Sequence, residues 1–222
     1  MPAPVAKILA ALPQTQCTRC GYPDCEAYAQ SIAGARARIN QCPPGGQQGI
    51  EWLAAITGEP ITTLNPAHGV ETSRTIAFID EDWCIGCTLC MKACPTDAIM
   101  GSNKLMHSVI EAYCTGCELC LPVCPVDCIE LENVSGAATG WAAWSRTQAD
   151  LARERYAFHS YRHKRDAGEN EIRLEEKALT KLADLAHHSQ HTDPAMLEKK
   201  RAVIEAALRR ARAKRDAGSP PR

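Results

Sequence analysis

Nine of the thirteen cysteines of this 222-residue chain lie between residues 84 and 128, and they repeat. Cys84, Cys87, Cys90 and Cys94 are followed by Pro95; thirty residues later Cys114, Cys117, Cys120 and Cys124 are followed by Pro125. The duplication extends past the sulfurs: Trp83 matches Tyr113, Gly86 matches Gly116, Leu89 matches Leu119, Asp97 matches Asp127 and Ile99 matches Ile129. Three cysteines at three-residue steps, with a glycine between the first two, let a tight loop wrap sulfurs and amides around one centre. The fourth follows a short helical turn and points away, and the proline stops it from returning.

The run C-x2-C-x2-C-x3-C-P, written twice, is the spacing that holds a pair of [4Fe–4S] clusters in bacterial ferredoxins, the fourth cysteine of each run ligating the other cluster. It predicts one cluster on Cys84, Cys87, Cys90 and Cys124, and another on Cys114, Cys117, Cys120 and Cys94. Zinc favours two separated cysteine pairs over triplets. An odd cysteine count without a secretory signal argues against disulfides. Cys128 falls where the first repeat has Ala98, so it reads as a small buried thiol and not as a ligand.

Upstream, Cys17, Cys20 and Cys25 lie close together and Cys42 follows at a distance. Four thiolates so arranged can close a tetrahedral site for zinc or for a cubane, and the spacing leaves both open. Residues 4–12 read as a short amphipathic helix ended by Pro13. Pro23-Asp24 starts another, with Glu26 in its first turn, where an acidic side chain suits the dipole. Pro43-Pro44-Gly45-Gly46 ends that stretch, and residues 51–56 supply a further turn or two of helix. The Gly, Pro, Thr and Asn of 57–74 suggest a linker. Thr75 to Asp80 is expected to pair, as a strand, with Cys128 to Leu131; Ile99-Met100 and Leu105-Met106 form the other hairpin around Gly101-Ser102-Asn103.

After Ser135 to Gly140 the composition turns to Ala, Arg, Lys, Glu and Leu. Ser145 with Gln148 fits a capping box, opening a helix expected to stop near Ala167-Gly168. A second helix is expected over about 171–188, and Asp193-Pro194 starts a third. Charge divides in the same place. Residues 1–145 carry 7 Lys and Arg against 14 Asp and Glu, and residues 146–222 carry 18 against 12. That split suggests an acidic cofactor module with a basic appendage. His159 with His163, and His187 with His191, have helical i, i+4 spacing but no further ligand near them, and read as solvent-exposed. The expected class is α+β: a small N-terminal helical [4Fe–4S] domain (1–58), a linker (59–74), a two-cluster bacterial ferredoxin-like domain (75–134), a second linker (135–145) and a basic α-helical tail (146–222).

No stretch approaches the roughly 20 apolar residues of a membrane span. Phosphate loops and dinucleotide fingerprints are absent as well, so the reading is an electron carrier with no substrate site of its own. With only 2 Phe, 4 Trp and 5 Tyr the chain has few bulky core residues. Twelve metal-bound thiolates would supply much of the missing stability. Exposed clusters favour a reducing, cytoplasmic compartment.

The order of parts resembles the B subunit of Rnf/Rsx-type electron transport complexes. The resembling stretches are Leu12 to Cys17, Cys20 to Cys25, Cys42 to Gly46, Ile79-Asp80-Glu81, Cys84 to Thr88, Met106 to Val109 and Cys114 to Cys117. The resemblance covers about residues 4–133 and implies a third [4Fe–4S] cluster on Cys17, Cys20, Cys25 and Cys42. It implies as partners other subunits of a membrane oxidoreductase complex, or a ferredoxin or flavoprotein donor or acceptor, at the cytoplasmic face of the inner membrane. Members usually begin with a membrane anchor and end soon after the ferredoxin part; the sequence departs from both habits and is expected to be a soluble variant, peripheral to the membrane. Other readings are a free ferredoxin for another oxidoreductase, or a regulatory iron–sulfur protein that reduces or senses through a transcription factor. Nucleic-acid binding by the basic tail ranks last.

Overall fold

The computed structural model describes residues 5–218, so residues 1–4 and 219–222 of the expected end segments lie outside it. The chain forms two compact units, one running to Ser160 and the other from Tyr161. The architecture mixes helices with two small two-stranded sheets. Among the described residues no helix is long and apolar enough to cross a membrane.

The first unit begins with α1 (Val5–Ala10) and α2 (Cys25–Ala33). Asp24 caps α2 as expected, its Oδ1 accepting the Ala27 N–H at 2.7 Å. The Pro43 to Gly45 turn leads into α3 (Gly46–Thr57), a twelve-residue helix where one or two turns were expected. The missing signal is a cap from far away: Glu71 Oε2 accepts the Gln47 N–H at 2.9 Å, at the otherwise uncapped start of α3. Ile8, Leu12, Tyr28, Ile32, Ile50 and Leu53 close a core between these helices. The 57–74 segment is pinned to that core. Asn40 Nδ2 donates to Thr63 O, the Asn65 N–H donates to Asn40 O, and His68 Nδ1 meets Arg19 O at 3.1 Å.

Next come β1 (Thr75–Ile79), α4 (Leu89–Ala93), β2 (Ile99–Gly101), β3 (His107–Val109) and β4 (Ile129–Asn133). β1 pairs antiparallel with β4, Ala77 opposite Leu131, as the repeat predicts. The other hairpin differs from expectation. Its second strand starts two residues later, at His107, so Leu105 and Met106 lie exposed in the turn while Gly101 stands opposite His107. A one-residue slip would turn the buried His107 outward, and a side chain at position 101 would overlap the imidazole. These two residues set the register.

A single helix, α5 (Arg146–Ala183), follows, and then α6 (Pro194–Gly218). The capping box forms: the Ser145 N–H donates to Gln148 Oε1 at 2.9 Å, and the Gln148 N–H to Ser145 Oγ at 3.2 Å. Two helices thus replace the three expected, because α5 runs through Ala167-Gly168. An interior glycine costs about 1 kcal/mol against alanine, too little to stop a helix with good formers on either side. In the second unit Glu175 joins α5 to α6 through Arg212 and Arg215, at 2.7 and 2.8 Å.

Candidate metal centre

Each cysteine run is positioned by a loop that only glycine allows. Gly86 and Gly116 share φ +67°, and a Cβ on Gly116 would overlap the Thr75 carbonyl oxygen. The loop can therefore press its backbone against β1 while its sulfurs turn inward. Cys84, Cys87 and Cys90 ring one small cavity together with Cys124 of the other run. Cys114, Cys117 and Cys120 ring a second, together with Cys94 of the first run. Each cavity thus takes its fourth cysteine from the opposite run.

The sulfurs meet the donors that a thiolate needs. The Ala98 N–H points at Cys94 Sγ at 3.2 Å and the Ala77 N–H at Cys114 Sγ at 3.4 Å. Burial raises the Cys124 pKa, but the backbone N–H groups of Val126, Cys128 and Asp127 outweigh it and hold the thiol below its ordinary value. Burial first, and then the neighbouring sulfurs, push Cys120 up to about 12; burial likewise takes Cys117 up to about 11. A metal entering that pocket must displace protons. Among the described residues no three His, Cys, Asp or Glu side chains converge closely enough to chelate a single metal ion. The cysteines stand instead around cavities, with sulfur donors, N–H groups and glycine-permitted close approach, and this arrangement fits a cubane.

Cys17, Cys20 and Cys25 are buried and Cys42 is partly buried, beside the N-terminal core. Burial drives the thiols of Cys25 and Cys42 well above their ordinary range, and the sulfurs of the same set act in the same direction. The first set sits against the second run. Thr115 Oγ1 donates to Thr15 O at 2.9 Å, and Arg19 pairs with Glu118 at 2.5 Å. Burial opposes the Arg19 charge, yet the Glu118 carboxylate, with Cys17 and Cys117 as thiolates, outweighs it and raises its pKa. Trp141 locks the junction: buried, it donates to Ala11 O at 3.2 Å and packs 4.9 Å from Trp52.

Residues 77–131 match the 4Fe-4S dicluster domain family, and residues 12–44 match the Fe-S cluster family. The B subunit of the ion-translocating oxidoreductase complex of Azoarcus sp. (strain BH72) is 55% identical over 107 residues, 48% of this chain and 58% of that protein. The B subunit of the same complex in Aliivibrio salmonicida (strain LFI1238) is 56% identical over 138 residues, 62% of this chain and 70% of that protein. The chain belongs to the family of these B subunits. Its domains make iron–sulfur clusters the cofactor. Against the Azoarcus protein and its counterpart in Thiobacillus denitrificans, the chain spans 58% and 55% of the relative's length, little more than half.

Several residues of this family member escaped the sequence reading. His159 is not solvent-exposed: it is largely buried and its Nδ1 lies 2.8 Å from Asp97 Oδ1, on the loop between Cys94 and Ala98. Arg155 donates from Nε to Thr96 O at 2.7 Å and stacks 3.5 Å over Tyr113. The start of α5 thus braces both runs. Only its i, i+4 polar face could have hinted at this. Cys128 is the buried thiol expected, yet it lines the Cys84 cavity with its Sγ 3.5 Å from Cys124 Sγ.

Proposed function

We propose that this chain passes single electrons through three [4Fe–4S] clusters as the electron-carrying subunit of an ion-translocating oxidoreductase complex. The observation that carries the reading is the crossing of the two cysteine runs around two cavities, with a third buried cysteine set packed against one of them. Cys17, Cys20, Cys25 and Cys42 would hold the first cluster. Cys84, Cys87, Cys90 and Cys124 would hold the second, and Cys114, Cys117, Cys120 and Cys94 the third. Bound there, each cluster supplies reversible one-electron chemistry.

The chain's own residues hold, shield and orient. Ile79 and Ile129 help keep water from the Cys84 pocket, and Ala77, Ile99 and Leu131 do so for the Cys114 pocket. Backbone N–H groups aimed at Cys94, Cys114 and Cys124 favour added negative charge on the sulfurs, which eases reduction. Thr15, Arg19, Thr115 and Glu118 fix the first set beside the third, so that an electron entering at one would have a short path to the other. In this scheme residues 1–58 form the one-cluster domain and 75–134 the two-cluster domain. Residues 59–74 and 135–145 link them, and the helical segment from 146 docks to other subunits of the complex.

The test is the pair of variants Cys94→Ala and Cys124→Ala, purified without oxygen and read by EPR after reduction. Each substitution should cost the cluster of the opposite run: Cys94→Ala the Cys114 set, Cys124→Ala the Cys84 set. Loss of the cluster on the same run would refute the crossing.

A further inference from the structure

The two halves of the doubled run share a backbone plan but not the side chains behind it. At the repeat offset of thirty residues, His107 corresponds to Ala77 and Gly101 to Leu131. The structure pairs them in register: Gly101 faces His107 in one sheet and Leu131 faces Ala77 in the other. The pair Gly–His has thus been exchanged for Leu–Ala. Each combines a small and a large residue, and the sizes are swapped between strands. Gly101 is the counterpart that makes room, since any Cβ there would overlap His107 Cδ2.

The imidazole placed by that exchange is 1% exposed and aims at the cysteines. Its Nδ1 lies 3.5 Å from Cys84 Sγ and 3.7 Å from Cys90 Sγ. Nε2 is buried with no hydrogen-bond partner among the described residues. Of the two tautomers, the one with hydrogen on Nδ1 leaves only a lone pair unpaired; the other would bury an orphan N–H, the rarer and costlier defect. A metal-bound thiolate has no hydrogen to give, so the donor is the ring. Cys128 adds a second donor on the same side. It stands where the first repeat has Ala98, and with Cys124 bound to metal its S–H is the one that can point at the other sulfur, 3.5 Å away.

We propose that His107, assisted by Cys128, is a potential-setting residue for one cluster alone, donating Nδ1–H to the sulfurs of Cys84 and Cys90. Donors to cluster sulfurs stabilise the more negative reduced state and so raise the midpoint. The second pocket has alanine at both equivalent positions. The inference rests on the proposed [4Fe–4S] occupancy of the Cys84 set, and iron and sulfide content separates a failure of that reading from a failure of this one.

The test is an anaerobic EPR redox titration of the full chain against the double variant Gly101→Leu/His107→Ala, which imports the volume-matched pair of the other repeat. One midpoint should fall by at least the amount that changes the reduced-to-oxidised ratio tenfold at fixed potential, about 59 mV for a one-electron couple. The other midpoints should stay. Cys128→Ala should lower the same midpoint by less, and His107→Gln, which restores a side-chain N–H, should recover part of the loss. Unchanged midpoints with full iron content would overturn the proposal. Pulsed EPR of the wild-type protein carrying ¹⁵N-histidine gives an answer independent of variant folding: a nitrogen coupling to one reduced cluster is expected, and its absence would equally overturn the assignment.

Discussion

The two units of the molecule answer the same physical demand in opposite ways. Up to Ser160, structure is bought with buried sulfur: eight of the thirteen cysteines are buried, and the sheets are only three to five residues long. From Tyr161 on there is no cysteine, and Leu174, Ala178, Ile204 and Leu208 line an open groove between the two helices. Two-stranded sheets are marginal without help, so the first unit depends on what its cysteines hold. The second depends on helix propensity and on charge pairs such as Glu175 with Arg212 and Arg215.

Stripping the iron should give the largest separation of the two. With the metal removed by chelation under reducing conditions, hydrogen exchange at β1 and β4 should rise to near unfolded rates, while amides of α6 keep theirs, because metal binding and folding are coupled only where the ligands are. Equal deprotection of both units would break the comparison. Next in size is Trp141→Ala, which removes a buried aromatic, its bond to Ala11 O and its tilted ring contact with Trp52. A loss of about 3–5 kcal/mol is expected, read by denaturant unfolding of the intact chain and confined to the first unit.

Glycine substitutions sharpen the contrast by changing sign. Gly116→Ala meets the Thr75 carbonyl at positive φ and should destabilise the first unit, with loss of iron from the Cys114 set. Gly168→Ala has open space inside α5 and should stabilise the helix by about 1 kcal/mol, seen as a higher melting point. The smallest effect concerns pH. Hydrogen bonds from Arg215 and Arg212 hold the Glu175 carboxyl below its ordinary value of 4.5. Its depressed pKa means stability that is present above pH 4.5 and lost as pH falls through the lower folded value. Helical content of the second unit should drop slightly over that range, and Glu175→Gln should flatten the dependence.

What could be read from the sequence follows from the range of the interactions. The β1–β4 pairing, the Asp24 cap and the Ser145–Gln148 box all depend on local spacing or on the repeat, and all are present in the fold. The later start of β3 was hidden because Leu105 and Met106 look like strand residues; the choice is made by Gly101 facing His107 across the hairpin. The full length of α3 depends on Glu71, which lies 24 residues from the N–H it caps. His159 looked like a solvent residue until α5 laid it on Asp97. Gly168 does not stop α5, because good helix formers flank it and one interior glycine costs only about 1 kcal/mol. Long-range partners account for β3, α3 and His159, and local propensity for Gly168.

Iron, acid-labile sulfide and zinc counted per chain in protein purified without oxygen test the central claim most directly. Three [4Fe–4S] clusters predict about twelve irons and about twelve sulfides, with no zinc. About eight irons with one zinc would reassign Cys17, Cys20, Cys25 and Cys42 to a structural site, and a chain that holds no iron would contradict the account outright.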